Sequence, residues 1–110
     1  MPQGSVGRWA DAKPVEMVPG LVRRTLAETA DIQVVEIRVQ AGVDLALHNH
    51  PAQQITYVIS GQIDLTVDGV LYSIMPGDAC AIPGGVEHKA YFPVETVSVD
   101  TFSPPRPEYR

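Results

Sequence analysis

Short runs in which apolar and polar residues alternate, each closed by glycine, proline or aspartate, limit this chain to strands. Val35, Ile37 and Val39 alternate with Glu36, Arg38 and Gln40, and Ile63, Leu65 and Val67 alternate with Gln62, Asp64 and Thr66. Successive strand side chains point to opposite faces, so each run builds one apolar and one polar face. Asp68-Gly69 between two such runs is a hairpin signal, because the tight turn needs positive φ. Pro76-Gly77-Asp78 and Pro83-Gly84-Gly85 mark two more turns. No segment sustains a helical period beyond a turn or two near Arg23 to Asp31. The pattern predicts an all-β chain whose strand count fits a jelly-roll barrel. Residues 1–19 mix glycine, proline and charge without a period and are expected to form an irregular arm with one short strand; residues 20–110 carry the barrel domain.

The 110 residues, 45% of them hydrophobic, suffice for one core and leave no room for a second domain. A single cysteine, Cys80, excludes an internal disulfide and reads as a small buried hydrophobe. Tyr57 and Trp9 read as packing residues. No N-terminal run has the charged start and apolar centre of a signal peptide, and no apolar stretch approaches membrane-spanning length, so a cytoplasmic location is expected. A net charge of −5 argues against nucleic acid, which needs a basic face.

All three histidines of the chain fall in two glycine-bracketed blocks. The first runs from Gly42 to Gly61 and holds His48-Asn-His50-Pro-Ala-Gln-Gln54; the second runs from Gly77 through Pro83-Gly-Gly85 to His88. His48, His50 and Gln54 share one parity, so they point the same way if strand geometry persists across Pro51. His88 must then come from a second strand folded back across the first. Three imidazoles and one neutral amide oxygen make a set suited to zinc, copper, iron or nickel, with the oxygen also acceptable to manganese. A bulge at Pro51 would exchange Gln54 for Gln53. Taken alone, Asp100 is a strand-end carboxylate, Phe102 a core ring and Arg106 a residue of the proline-rich tail.

These two blocks resemble the two motifs of the cupin superfamily, with a short stretch between them. Two positions depart from the pattern: Gln54 stands where many cupins have glutamate, and Phe92 where the second motif usually closes with asparagine. A narrower resemblance is to the KdgF family of pectin degradation or uronate linearisation proteins. It is carried by Gly20-Leu-Val-Arg23-Arg-Thr-Leu26, by His50-Pro-x-x-Gln-Ile-Thr-Tyr-Val58 and by Asp100-Thr-Phe102-Ser-Pro-Pro-Arg106-Pro-Glu-Tyr109, and so runs from about residue 20 to the end. The resemblance implies a cupin double-stranded β-helix (jelly-roll barrel) and one divalent metal ion (Ni, Mn, Zn, Fe or Co) on His48, His50, Gln54 and His88. It further implies opening of 4,5-unsaturated uronates from pectin or alginate breakdown to a linear keto sugar acid. Arg106 would hold the sugar-acid carboxylate, with Arg23 or Arg24 as further positive charge, Asp100 would move the proton, and Phe102 would shape the pocket wall. A homodimer joined at barrel edges is expected, since small cupins commonly dimerise. The alternatives are a cupin-type metal dioxygenase and a non-catalytic small-molecule binder.

Overall fold

Inward and outward residues alternate along the central strands of both sheets, and the two sheets close on each other. The computed structural model describes residues 3–110. Among them, ten strands follow in order: β1 Val15–Val18, β2 Leu21–Glu28, β3 Gln33–Val39, β4 Asp44–His48, β5 Gln53–Ser60, β6 Ile63–Val67, β7 Val70–Ile74, β8 Ala79–Ile82, β9 His88–Tyr91 and β10 Thr96–Ser103. They form a six-stranded sheet, β1-β2-β3-β10-β5-β8, and a four-stranded sheet, β4-β9-β6-β7. Every pairing is antiparallel. This is the expected all-β jelly roll, and its core is the layer between the sheets. Val35, Ile37 and Val39 of β3 and Val58 of β5 face Ile63, Leu65 and Val67 of β6 across it, all of them buried.

The hairpin expected at Asp68-Gly69 joins β6 to β7, with φ of 49° and 78° at its two central residues. The helical turn expected near residues 23–31 does not form. β2 runs through that stretch and pairs with β3 from Leu21↔Val39 to Glu28↔Gln33. Its register slips between Thr25 and Ala27, and the extra residue breaks the period-two pattern that would have marked a strand. Strand pairing outweighs the modest helix propensity of Thr25-Leu-Ala-Glu28.

Of the arm expected over residues 1–19, the first two residues lie outside the described range. β1 is its short strand, on the edge of the larger sheet, and Trp9–Asp11 forms a single 3-10 turn. Trp9 is not a core residue. Its indole N–H donates to Glu36 Oε1 at 2.7 Å, and the guanidinium groups of Arg24 and Arg38 lie 4.1 and 5.2 Å from its ring centroid. The arm thereby covers the outer face of β2 and β3. Tyr57 also stays out of the core, on the outer face of β5. Its odd position opposes the inward parity of Gln54, Thr56 and Val58.

One tight connection links the two sheets. Gly61, between β5 and β6, adopts φ +86°, and a Cβ there would collide with the Glu95 carbonyl and the buried Thr96 hydroxyl. Gly42 has a similar φ, +89°, but open space around it. Gly61→Ala should therefore lower unfolding free energy by at least about 2 kcal/mol, combining left-handed strain with displacement of packed backbone. Gly42→Ala should cost only the conformational share, about 1 kcal/mol. Denaturant midpoints for the two variants, compared at unchanged slope, measure the difference.

Candidate metal centre

His48 ends β4 and pairs with His88 at the start of β9, after a register shift between Leu45 and His48. That pairing sets two imidazoles side by side, their ring centroids 4.3 Å apart. His50 reaches them differently from the expectation. Strand geometry does not persist across Pro51: β4 ends at His48, and the chain crosses from the smaller sheet to the larger one through residues 49–52 before β5 begins. Proline has no N–H to give to a ladder, which suits it to this crossing. The crossing is clasped by the Pro83-Gly84-Gly85 turn, where Gly85 N–H donates to the His50 carbonyl at 2.8 Å. His48, His50 and His88 each bring a ring nitrogen to one point, the three atoms lying within 4.8 Å of one another.

Each imidazole is oriented by a carbonyl two residues away. Nδ1–H donates to Ala46 O from His48 (2.9 Å), to Ala52 O from His50 (2.8 Å) and to Val86 O from His88 (2.9 Å). A carbonyl only accepts, so the proton sits on Nδ1 and each Nε2 presents a lone pair. Among the described residues, His88 Nε2 is the one buried side-chain polar atom without a hydrogen-bond partner. Gln54 Oε1 lies 3.0 Å from His50 Nε2, which sets two acceptors face to face. A cation between them removes both anomalies, and three imidazoles with an amide oxygen are donors that a divalent transition ion accepts. The residues present therefore fit a metal ion. Gln54 is the glutamine at the cluster; Gln53 is exposed on the other face of β5.

The centre opens into a cavity of about 320 Å³ between the sheets. Thr56, Asp100 and Arg106 line it beside the histidines, and Leu45, Leu65 and Phe92 line its apolar part. Asp100, on β10, accepts a hydrogen bond from Thr56 Oγ1 at 2.7 Å. Burial pushes its carboxyl up to about 6, against the opposing pull of the Thr56 hydroxyl, the Arg106 charge and Gln54. Phe102 is buried and does two jobs. Its ring meets His50 edge-on at 5.7 Å and Tyr109 at 5.6 Å.

Arg106 is held more firmly than a tail residue would be. Its Nε donates to Glu108 Oε1 at 2.6 Å and its Nη1 to the Tyr109 hydroxyl at 2.9 Å, while its guanidinium lies 4.2 Å from the Tyr109 ring centroid. Its main chain is fixed by Gln33, whose side-chain Oε1 accepts from Arg106 N at 3.1 Å and whose Nε2 donates to Arg106 O at 3.3 Å. Arg23 stacks on the outer side of Tyr109, 4.5 Å from its centroid. Arg24 belongs to the Trp9 and Glu36 cluster and takes no part in the cavity wall. Cys80 is only partly buried, and burial raises its thiol pKa, so it is no reactive nucleophile.

The sequence reading passed over Gln33 and Thr56. Both are buried polar residues on the inward parity of an apolar strand face, Gln33 with Val35 and Ile37, and Thr56 with Val58. That misplaced polarity was the available signal.

Residues 35–99 match the cupin domain. The chain is a cupin. In structure, this cupin is similar to an RmlC-like cupin from Shewanella frigidimarina, at 28% identity and TM-score 0.91, with 98% of this chain and 97% of that one covered. It is similar to KdgF from Halomonas sp. at 27% identity and TM-score 0.90, covering 98% and 100% of the two chains. A predicted oxalate decarboxylase from Thermotoga maritima shares the fold at 16% identity and TM-score 0.78, covering 92% and 100%. No curated protein matches the cupin in sequence. No helix among the described residues is long and apolar enough to cross a membrane.

Burial above all, with the Arg106 charge adding to it, holds His50 below the ordinary histidine value; His88 is lowered chiefly by burial. The lowered values favour the neutral form that binds metal, so protons compete only as pH falls below about 6.5, the free value. In the metal-free protein the same shift makes stability fall as pH drops through that window, because the unfolded chain then binds more protons. Metal uptake should be stoichiometric at pH 7.5, fade below about pH 6, and be lost in His50→Ala. Metal content after gel filtration at each pH checks all three outcomes.

Proposed function

We propose that this cupin, acting in the cytoplasm, opens the ring of a 4,5-unsaturated uronate monosaccharide to a linear keto sugar acid, with a divalent ion on His48, His50, Gln54 and His88. The observation that carries the reading is the placement of Asp100 and Arg106 on the wall of one cavity beside the histidine cluster. Similarity to KdgF across nearly the whole chain supports it. A bound divalent cation supplies Lewis acidity toward a substrate oxygen.

The chain's own groups account for the remaining chemistry. Arg106 offers the free edge of its guanidinium to the substrate carboxylate, since Nε and Nη1 are engaged by Glu108 and Tyr109. That local charge offsets the net −5 of the chain. Ring opening is an isomerisation. The C1 hydroxyl loses its proton as the C1–O5 bond breaks and O5 gains one; the resulting C5 enol then loses its O–H proton while C4 gains one. Asp100 is placed to carry these protons. A carboxyl near pH 6 is matched to both taking and giving at neutral pH. Phe102 excludes water from the wall behind His50.

The test follows ultraviolet absorbance of 4,5-unsaturated galacturonate, whose conjugated double bond disappears on tautomerisation, with and without chelator. Chelator-sensitive acceleration above the spontaneous rate supports the reading. No acceleration by metal-loaded protein overturns it, and metal-dependent oxygen uptake would instead assign a dioxygenase. Asp100→Asn should lower kcat by at least about 100-fold with metal content unchanged. Arg106→Lys should raise KM by roughly tenfold, because lysine lacks the planar fork.

We propose that the homodimer expected at barrel edges also uses the outer face of β5. Ile55, Tyr57 and Ile59 are 51%, 46% and 52% exposed on the outer face of β5, beside Val97 and Val99 of β10, on the half that the arm leaves bare. The bare apolar area is roughly 300–400 Å², the size of the largest apolar patch that a small chain commonly exposes and uses. A second copy related by a twofold axis buries this face against itself. The chain should sediment at twice its 11.9 kDa. Tyr57→Glu should sediment as a monomer with metal uptake intact.

A further inference from the structure

Thr56 stands two residues after Gln54 on β5, on the inward parity, with its side chain buried. Across the ladder it faces Asp100 of β10 on one side and Cys80 of β8 on the other. A β-branched residue needs no special reason to occupy a strand. Its hydroxyl does, because a buried hydroxyl without partners is costly.

The polarity of its hydrogen bonds is dictated by its neighbours. A hydroxyl has one proton and two lone pairs, and an ionised carboxylate only accepts. The Thr56 proton therefore goes to Asp100 Oδ1, 2.7 Å away, and the lone pairs are what remain for Gln54. Gln54 must then present its amide N–H, and Nε2 lies 2.9 Å from Thr56 Oγ1. With Nε2 committed there, Oε1 turns toward the histidines, 3.0 Å from His50 Nε2. His50 cannot answer with a proton, since its Nδ1–H is held by the Ala52 carbonyl. An amide turned the other way would donate N–H to that lone pair and close the cradle with an ordinary hydrogen bond.

We infer that Thr56 is a positioning residue that locks the Gln54 amide with its oxygen toward the metal cradle and ties that orientation to Asp100. The inference rests on the reading of Gln54 as a ligand. Replacing Thr56 by valine keeps the shape and removes both hydrogen bonds, leaving only the Asp100 carboxylate to hold the amide against turning to seal the cradle. Outer groups that orient a metal ligand typically contribute 10–100-fold in affinity.

The experiment measures Zn²⁺ affinity by competition with a chromophoric chelator, without substrate. Thr56→Val should bind Zn²⁺ about 10–100-fold more weakly than the wild type, whereas Thr56→Ser, which keeps the hydroxyl, should stay within about threefold. In a Gln54→Ala background, Thr56→Val should add nothing, because the group it orients is gone. Circular dichroism and thermal melts establish that each variant is folded; Thr56→Ala takes the place of the valine variant if the latter is not. Wild-type affinity in Thr56→Val overturns the inference, as does an undiminished loss in the Gln54→Ala background. Wild-type affinity in Gln54→Ala removes the amide from the ligand set and the inference with it. Because no substrate is used, failure of the uronate assay leaves this result standing, and the two readings fail separately.

Discussion

Each histidine of the site gives its Nδ1 proton to a carbonyl only two residues away, and everything else about the cavity is arranged around the lone pairs this leaves. Such local bonds cost little ordering entropy, because the backbone that accepts is already fixed by a strand, by the clasped crossing or by the turn that clasps it. They settle tautomer and ring orientation together. Without them the rings would be free to pair with one another or with Gln54, and the cluster would be a hydrogen-bonded patch of core rather than a set of converging donors.

A second order of control acts on the carboxylate. Asp100 sits where burial raises its proton affinity, yet the Thr56 hydroxyl and the Arg106 charge keep the shift moderate. Burial alone would leave it a neutral acid, and full pairing with arginine would leave it a weak base. Glu108 helps hold this balance by engaging the Nε edge of Arg106. A chain of net negative charge thus keeps one cation poised beside one intermediate carboxyl.

Much of this was legible in the residues themselves. The alternation in β3 and β6 and the turn at Asp68-Gly69 pointed to the sandwich, because side-chain parity and positive φ are local properties. The grouping of His48, His50 and Gln54 was read from parity along one strand, whereas two of them lie on different sheets and His50 lies between. Parity still placed them on the inner side, since a crossing between sheets facing the same core keeps inward residues inward. β2 was hidden by its bulge, where an added residue erased the alternation. Support for Arg106 was hidden for a different reason: Gln33 lies 73 positions away, and no local pattern announces a partner at that distance.

Gln33 pairs with both main-chain groups of Arg106, as a neighbouring strand would, and makes no hydrogen bond to the guanidinium. The anchor is therefore indifferent to what position 106 carries. A residue mounted by its backbone is exchangeable: arginine for a carboxylate, or a neutral side chain for an uncharged ligand, without unhooking the tail from the barrel. In this cupin the histidine cluster is built from paired strands and the clasped crossing between them and tolerates little change, while Arg106 on the cavity wall hangs on a fitting that accepts replacements. Divergence in what such barrels bind has an inexpensive route through that one position.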